Sequence, residues 1–175
     1  MIEVIYGPMF SGKTEELIRR INLAKLKQFR VASFKSSVDK RYHNDFIVSH
    51  NQEKHRAKAI SSLKEINPIN YDFIAIDEFQ FFPEQEVPLL QELSEKVKVV
   101  LVAGLDLDYK AQPFGSMAAA INIAHTPYKL QAECQICSQP AEYSFRKSDD
   151  QSQLLIGEKD LYEARCKNHF FDAPK

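Results

Sequence analysis

Eight residues near the start constrain this chain most. Gly7-Pro8-Met9-Phe10-Ser11-Gly12-Lys13-Thr14 follows a short β-rich run at residues 2–6 and opens a helical period in which Leu17, Ile18 and Ile21 recur. Gly-x4-Gly-Lys-[Ser/Thr] between a strand and a helix is the pattern of a phosphate-binding loop. Its glycines let successive backbone N–H groups turn inward with no Cβ in the way, and the helix N-terminus adds partial positive charge, so a polyphosphate is cradled. Lys13 is placed to reach the β- and γ-phosphates, and Thr14 offers its hydroxyl to Mg²⁺. A chance match in a glycine-containing turn is the alternative, and the flanking strand and helix weigh against it.

Such a loop belongs at the edge of a sheet, and the rest of the chain predicts one. Residues 30–34 read as a second strand, followed by a polar segment, 35–45, with no apolar period and the character of a flexible loop. Residues 46–60 read as a short hairpin around His50-Asn51-Gln52. Residues 71–76 form an apolar strand that ends in Asp77-Glu78. Residues 84–96 read as a helix, in which Pro88 is tolerable only in the first turn. A second apolar strand at 97–103 and a small-residue helix at 115–124 complete the series. Strands apolar on both faces, alternating with helices, predict an α/β domain of the P-loop NTPase-like kind, a parallel sheet with helices on both faces. The composition shifts near residue 127, which divides the chain into a nucleotide-binding part, 1–127, and a small module, 128–175. A module of about 48 residues buries little core unaided and calls for a staple.

The staple is read from two short pairs, Cys134-x2-Cys137 and Cys166-x2-His169. Together they supply the four ligands of a tetrahedral structural Zn²⁺ site, with no open position left for catalysis. Three cysteines, an odd count, suit a reducing compartment better than a disulfide framework. The other histidines show no such pairing. The acids at the end of the 71–76 strand have roles of their own. Asp77 is expected to be a second magnesium-directing carboxylate, acting through water, and Glu78 to face the attacking nucleophile, accepting its proton or orienting it.

Charge is distributed in keeping with this division. The 175 residues carry a formal charge of −1, but residues 1–70 hold 13 Lys/Arg against 7 Asp/Glu and residues 71–133 hold 4 against 10. An anionic ligand near the first and carboxylate chemistry near the second are expected. A pI near 6.5 argues against a dedicated nucleic-acid binder. The longest apolar stretch, 97–105, contains Lys98 and is far short of the roughly 20 residues of a spanning helix. The beginning of the chain carries no basic leader or extended apolar region, so a cytoplasmic, membrane-free protein is expected.

Taken in order, the phosphate loop, Asp77-Glu78-Phe79-Gln80-Phe81-Phe82, Gly104-Leu105-Asp106-Leu107-Asp108-Tyr109 with Pro113-Phe114-Gly115, and the Cys/His quartet resemble the type II, zinc-containing thymidine kinases over essentially the whole chain. The resemblance implies transfer of the γ-phosphoryl group of ATP to the 5′-hydroxyl of thymidine, and of deoxyuridine, with Mg²⁺ in nucleoside salvage. Glu78 matches the family's general base. Phe81, Tyr109 and Phe114 match the aromatic positions around the nucleoside, and Met9 and Leu105 the apolar contacts near the thymine methyl. Ser144 stands where threonine is common beside the sugar and base. Leu154, Leu155, Ile156, Gly157 and Tyr162 match a lasso that closes over the base, and Lys35, Asp39 and Arg41 a mobile lid. A homotetramer inhibited by thymidine triphosphate is implied as well. Departures are Gly157-Glu158 in place of a glycine pair, Tyr109 in place of phenylalanine, and Ser144 itself.

Two other readings of the same motifs stand beside this one. Asp77-Glu78-Phe79-Gln80 also looks like the second motif of some helicases, but the chain lacks a second motor domain and residues 134–175 hold 6 Lys/Arg against 7 Asp/Glu. A non-enzymatic nucleotide sensor has no use for a base at Glu78.

Overall fold

The computed structural model describes residues 1–39, 46–48, 54–148, 150, 152 and 160–172. In chain order its elements begin with β1 (Ile2–Tyr6), α1 (Lys13–Leu26), β2 (Val31–Ser36), β3 (Phe46–Val48), β4 (Lys54–Arg56) and β5 (Lys58–Ile60). They continue with β6 (Phe73–Asp77), α2 (Val87–Lys96), β7 (Val99–Gly104), α3 (Met117–Asn122) and β8 (Thr126–Lys129). The C-terminal part adds β9 (Ala132–Glu133), β10 (Pro140–Ala141), β11 (Tyr143–Arg146), β12 (Tyr162–Arg165) and α4 (Lys167–Phe171).

The main sheet has six strands in the order β5-β2-β6-β7-β1-β8, with neighbours parallel throughout. Parallel strands need crossovers, and the crossovers cover both faces. Side-chain alternation decides which core each residue enters. On one face Ile5, Phe73, Ala75, Val99 and Leu101 meet Leu17, Ile18 and Ile21 of α1. On the other, Val4, Ile74, Ile76, Val100 and Val102 meet Val87, Leu90 and Leu93 of α2 and Met117 and Ala120 of α3. Every residue of β6 and β7 is therefore buried, as the unbroken apolar runs predict.

The expected helices and strands are present, with shifts that have physical causes. Residues 84–86 make a 3₁₀ turn before α2, so Pro88 falls in the first turn, where its missing N–H costs nothing. β3 and β4 pair antiparallel as the expected hairpin, and residues 49–53 between them lie outside the described residues. The largest departure is at the expected loop 35–45. Lys35 and Ser36 continue β2, because β5 pairs with residues 34–36, and both side chains are buried. The last strand of the sheet, β8, runs through residue 127 and pairs with β1. The sheet thus extends past the compositional change.

Beyond β8 the pairs β9–β10 and β11–β12 form two small antiparallel ladders, with α4 packed on the second. Among the described residues no helix is long and apolar enough to cross a membrane.

The two-faced core gives a direct test. Leu101 is fully buried in the centre of the sheet, so Leu101→Ala should lower the unfolding free energy in urea by about 2–5 kcal/mol at an unchanged m-value. A loss below about 1 kcal/mol contradicts the packing described.

Candidate active site

Register brings the motifs together. Tyr6 pairs with Gly104 across β1 and β7, and Ile76 pairs with Val102 across β6 and β7. The chain leaves these three adjacent strands at one rim, through Gly7, Asp77-Glu78 and Leu105, the edge at which open α/β sheets bind ligands. A cleft opens there, and Lys13, Thr14, Asp77, Glu78, Met9 and Leu105 all line it.

The phosphate loop is held in a tight, partly left-handed course. Gly7, Phe10 and Gly12 have φ of 147°, 65° and 82°. At Gly7 glycine is required twice over, since a Cβ would also run into the carbonyl oxygen of Leu130, whose N–H donates to Tyr6 O at 2.7 Å. Gly12 occupies the N-cap of α1 and offers no side chain to cap it, so the first-turn N–H groups face the loop. Ser11 Oγ and Lys13 Nζ both donate to Pro8 O, at 2.8 and 2.6 Å. The buried Met9 N–H donates to Ser144 Oγ at 2.9 Å. Ser144 sits on β11, so the small C-terminal module holds the loop directly, and Phe10 packs into that module's core beside Cys134, Ala141 and Ala164.

The acid pair is equally constrained. Asp77 ends β6 opposite Lys35 in β2, both buried, and its Oδ1 accepts the Glu78 N–H at 3.0 Å. Glu78 then takes φ 54° and ψ 44°, a left-handed conformation that costs a non-glycine residue of order 1–3 kcal/mol and persists only where its surroundings hold it. What holds it is Gln80, 3% exposed. Its Nε2 donates to Glu78 Oε2 at 2.5 Å while its Oε1 accepts from the Leu105 N–H at 3.0 Å. Around it there is no spare space. A Cβ on Gly104 would lie 2.6 Å from both Gln80 Oε1 and Met117 Sδ, and one on Gly115 (φ 54°) would collide with Gln80 O. Sequence reasoning places Gln80 in its motif and assigns it no role. An amide set among phenylalanines, with glycines where the neighbouring strand and loop pass, is the signal that could have found it. Nearby, burial pushes the Asp106 carboxyl above its ordinary range, with Lys13 and Lys129 pulling back the other way.

Other expected residues are distributed as follows. Lys35 and Asp39 line the same cleft. Phe81 and Phe114 meet edge to face with ring centroids 5.8 Å apart. Tyr109 lies with its ring under the guanidinium of Arg146, and Tyr162 receives hydrogen bonds from the same guanidinium. Arg41, Leu154, Leu155, Ile156 and Gly157 lie outside the described residues.

Cys134, Cys137, Cys166 and His169 converge, with one ligand atom from each lying within 4.8 Å of the others. Cys137 Sγ and Cys166 Sγ are 3.8 Å apart, and Cys166 Sγ and Cys134 Sγ lie 3.2 and 3.7 Å from His169 Nδ1. A tetrahedron with zinc–sulfur bonds of about 2.3 Å has sulfur–sulfur edges of about 3.8 Å, so these four side chains form a cluster able to hold zinc. Local structure builds it: Cys166 caps α4, which places His169 one turn on, and the turn after Cys134 is closed by Ser138 N–H to Cys134 O at 2.8 Å. Burial raises the Cys134 thiol, but backbone N–H groups of Cys166, Ile136 and Cys137 aimed at its sulfur outweigh this and bring it down to about 6, favouring the thiolate a metal binds.

Comparison with known proteins gives the family of the chain. A family model described as thymidine kinase matches residues 1–170. A thymidine kinase of Mesomycoplasma hyopneumoniae (strain 7448) is 42% identical over 171 residues, covering 95% of this chain and 93% of the relative. A thymidine kinase of Rhodothermus sp. (strain ITI 518) is 40% identical over 97% of this chain and 80% of its own, and one of Bdellovibrio bacteriovorus 38% identical over 99% and 88%. Among solved structures, a DNA replication initiation factor aligns with 74% of this chain and 39% of its own at 15% identity and a TM-score of 0.46. With the family model spanning nearly all of its length and relatives of this similarity covering 95% or more of it, the chain belongs to the thymidine kinase family.

Proposed function

We propose that the chain is an ATP-dependent nucleoside kinase that moves the γ-phosphoryl group of ATP to the 5′-hydroxyl of thymidine, and of deoxyuridine, in nucleoside salvage. The observation that carries this reading is the cleft in which Lys13 and Thr14 share walls with Glu78, whose carboxylate is held by Gln80. Phosphoryl transfer has a loose transition state, so catalysis consists largely of positioning and of stabilising charge.

In this reading the backbone N–H groups of residues 7–14 cradle the phosphates, and Lys13 carries positive charge to the β- and γ-oxygens. Thr14 and Asp77, a hydroxyl and a carboxylate lining one cleft, fit a hard oxygen-liganded cation. Mg²⁺ bound there supplies neutralisation of the developing phosphate charge. Glu78 accepts the proton of the 5′-hydroxyl as its oxygen attacks in line. Met9 and Leu105 offer apolar surface to the thymine methyl, and Phe81, Phe114, Tyr109 and Tyr162 wall the nucleoside together with Ser144 and the 154–157 stretch. Lys35, held in β2, lines the cleft, and Asp39 and Arg41 belong to a lid that excludes water from the γ-phosphate. The Cys/His quartet holds a structural Zn²⁺ that staples the 128–175 module beside the 1–127 domain. A homotetramer, feedback inhibition by thymidine triphosphate and a cytoplasmic location are part of the same proposal.

Three experiments test it. Purified protein given ATP, Mg²⁺ and a panel of nucleosides should release ADP only when thymidine or deoxyuridine is present, with no stimulation by single-stranded DNA; nucleoside-independent turnover contradicts the reading. Glu78→Gln should lower kcat by about 10²- to 10⁴-fold with ATP affinity retained, and an unchanged kcat removes Glu78 from the role of base. Cys134→Ser should lose zinc by elemental analysis and raise the thymidine KM. A variant that keeps one zinc per chain refutes the ligand assignment.

A further inference from the structure

Arg146 has no part in the sequence motifs or in the phosphoryl-transfer chemistry, and its surroundings are unusual for a charged residue. It ends β11, is only 6% exposed, and stands directly across the ladder from Tyr162, the first residue of β12. Its Nε and Nη2 donate to the Tyr162 hydroxyl at 3.0 and 2.7 Å. Its Nη1 donates to the carbonyls of Asp150 and Ser152, at 3.0 and 2.5 Å. Its Cζ lies over the Tyr109 ring, 3.5 Å from the centroid. Tyr109 comes from the loop after β7, in the main domain, while the other three partners belong to the C-terminal module. One rigid cation therefore joins two walls that no covalent link brings together.

The alternation of β11 shows why this residue meets both walls. Ser144 and Arg146 are the buried positions of the strand, and Tyr143 and Phe145 the half-buried ones. Ser144 holds the Met9 N–H of the phosphate loop, so the face of β11 that carries Arg146 also meets the main domain at that loop. Lysine is no substitute here. It has no planar face for the ring, and its single ammonium lacks the fixed fork that serves a hydroxyl on one side and two carbonyls on the other. A guanidinium on an aromatic face is also less costly to desolvate than an ammonium.

We propose that Arg146 is a positioning residue for the nucleoside side of the site: it fixes the Tyr109 ring, the Tyr162 ring and the backbone at Asp150 and Ser152 relative to one another, and so sets nucleoside affinity without taking part in phosphoryl transfer. This rests on the thymidine kinase reading of the site. The test is steady-state kinetics of Arg146→Met, Arg146→Lys, Tyr162→Phe and the Arg146→Met/Tyr162→Phe double variant, with thymidine and ATP varied separately and zinc content measured in parallel. Arg146→Met should raise the thymidine KM by about tenfold or more, with the ATP KM and kcat within about twofold of wild type and one zinc per chain. Arg146→Lys should fall between, and the double variant should be no worse than Arg146→Met alone, because both single changes break one network. A thymidine KM unchanged in a zinc-replete Arg146→Met protein overturns the proposal while leaving the kinase assignment intact. Parallel loss of thymidine affinity, ATP affinity and zinc reduces Arg146 to a fold-maintaining role and also overturns it. A wild-type protein inactive on thymidine defeats the functional reading itself, and this inference with it.

Discussion

The parallel ladder that joins β6, β7 and β1 is the constraint on which the site depends. Its register puts Gly7, Asp77-Glu78 and Leu105 at one rim, so that the loop able to hold phosphates and the carboxylate able to take a proton open into the same cleft. The register is enforced by burial on both faces. A slip of one residue would send Ile74 and Ile76 to the α1 side and Phe73 and Ala75 to the α2 and α3 side, exchanging large and small groups in two packed cores. The same slip would move Glu78 by about 3.3 Å along the strand, more than the length of the hydrogen bond a base has to make. Packing of the interior thus sets the precision of the rim.

At the rim the backbone is held in conformations it would not choose alone, and each has an identifiable restraint. The phosphate loop turns at Gly7 under the carbonyl of Leu130 and is tied at Met9 to Ser144, a residue 135 positions later. Glu78 is left-handed and is restrained by the Asp77 carboxylate on its N–H and by the Gln80 amide on its side chain. Gln80 is in turn restrained by Leu105 and by the closeness of Gly104 and Gly115. The Glu78 carboxylate is therefore oriented by a buried amide that solvent does not compete for, which in the proposed reaction lowers the reorganisation needed when the proton moves. The C-terminal module contributes to the same end: its core accepts Phe10 from the loop, and β11, which carries both Ser144 and Arg146, pairs with β12, the strand that leads into Cys166 of the Cys/His quartet.

Features written into short stretches of sequence are legible from the residues alone. The phosphate loop, the acids ending an apolar strand and the two ligand pairs are local patterns, and the sheet follows from unbroken apolar runs alternating with helical periods. What sequence reasoning misses depends on closure of the fold. Lys35 reads as the start of a polar loop because its neighbours are polar, yet β5 returns to pair with it and buries it opposite Asp77. Gln80 gains its meaning only from Leu105 and two glycines that arrive from elsewhere. Ser144 is expected beside the sugar and base by resemblance alone. Its hydroxyl accepts from the Met9 N–H, a contact between the two ends of the chain that no local pattern encodes.

The central claim is spatial: phosphates held by residues 7–14 and a 5′-hydroxyl oxygen meet with Glu78 beside that oxygen. A crystal structure with a bisubstrate compound, adenosine and thymidine joined 5′ to 5′ through a polyphosphate, measures this directly. The account predicts bridging phosphates on the loop N–H groups and a Glu78 carboxylate oxygen within about 2.6–3.2 Å of the thymidine 5′-oxygen, or one water away. A thymidine moiety bound elsewhere, or a carboxylate too far from that oxygen for a single water to bridge, contradicts it.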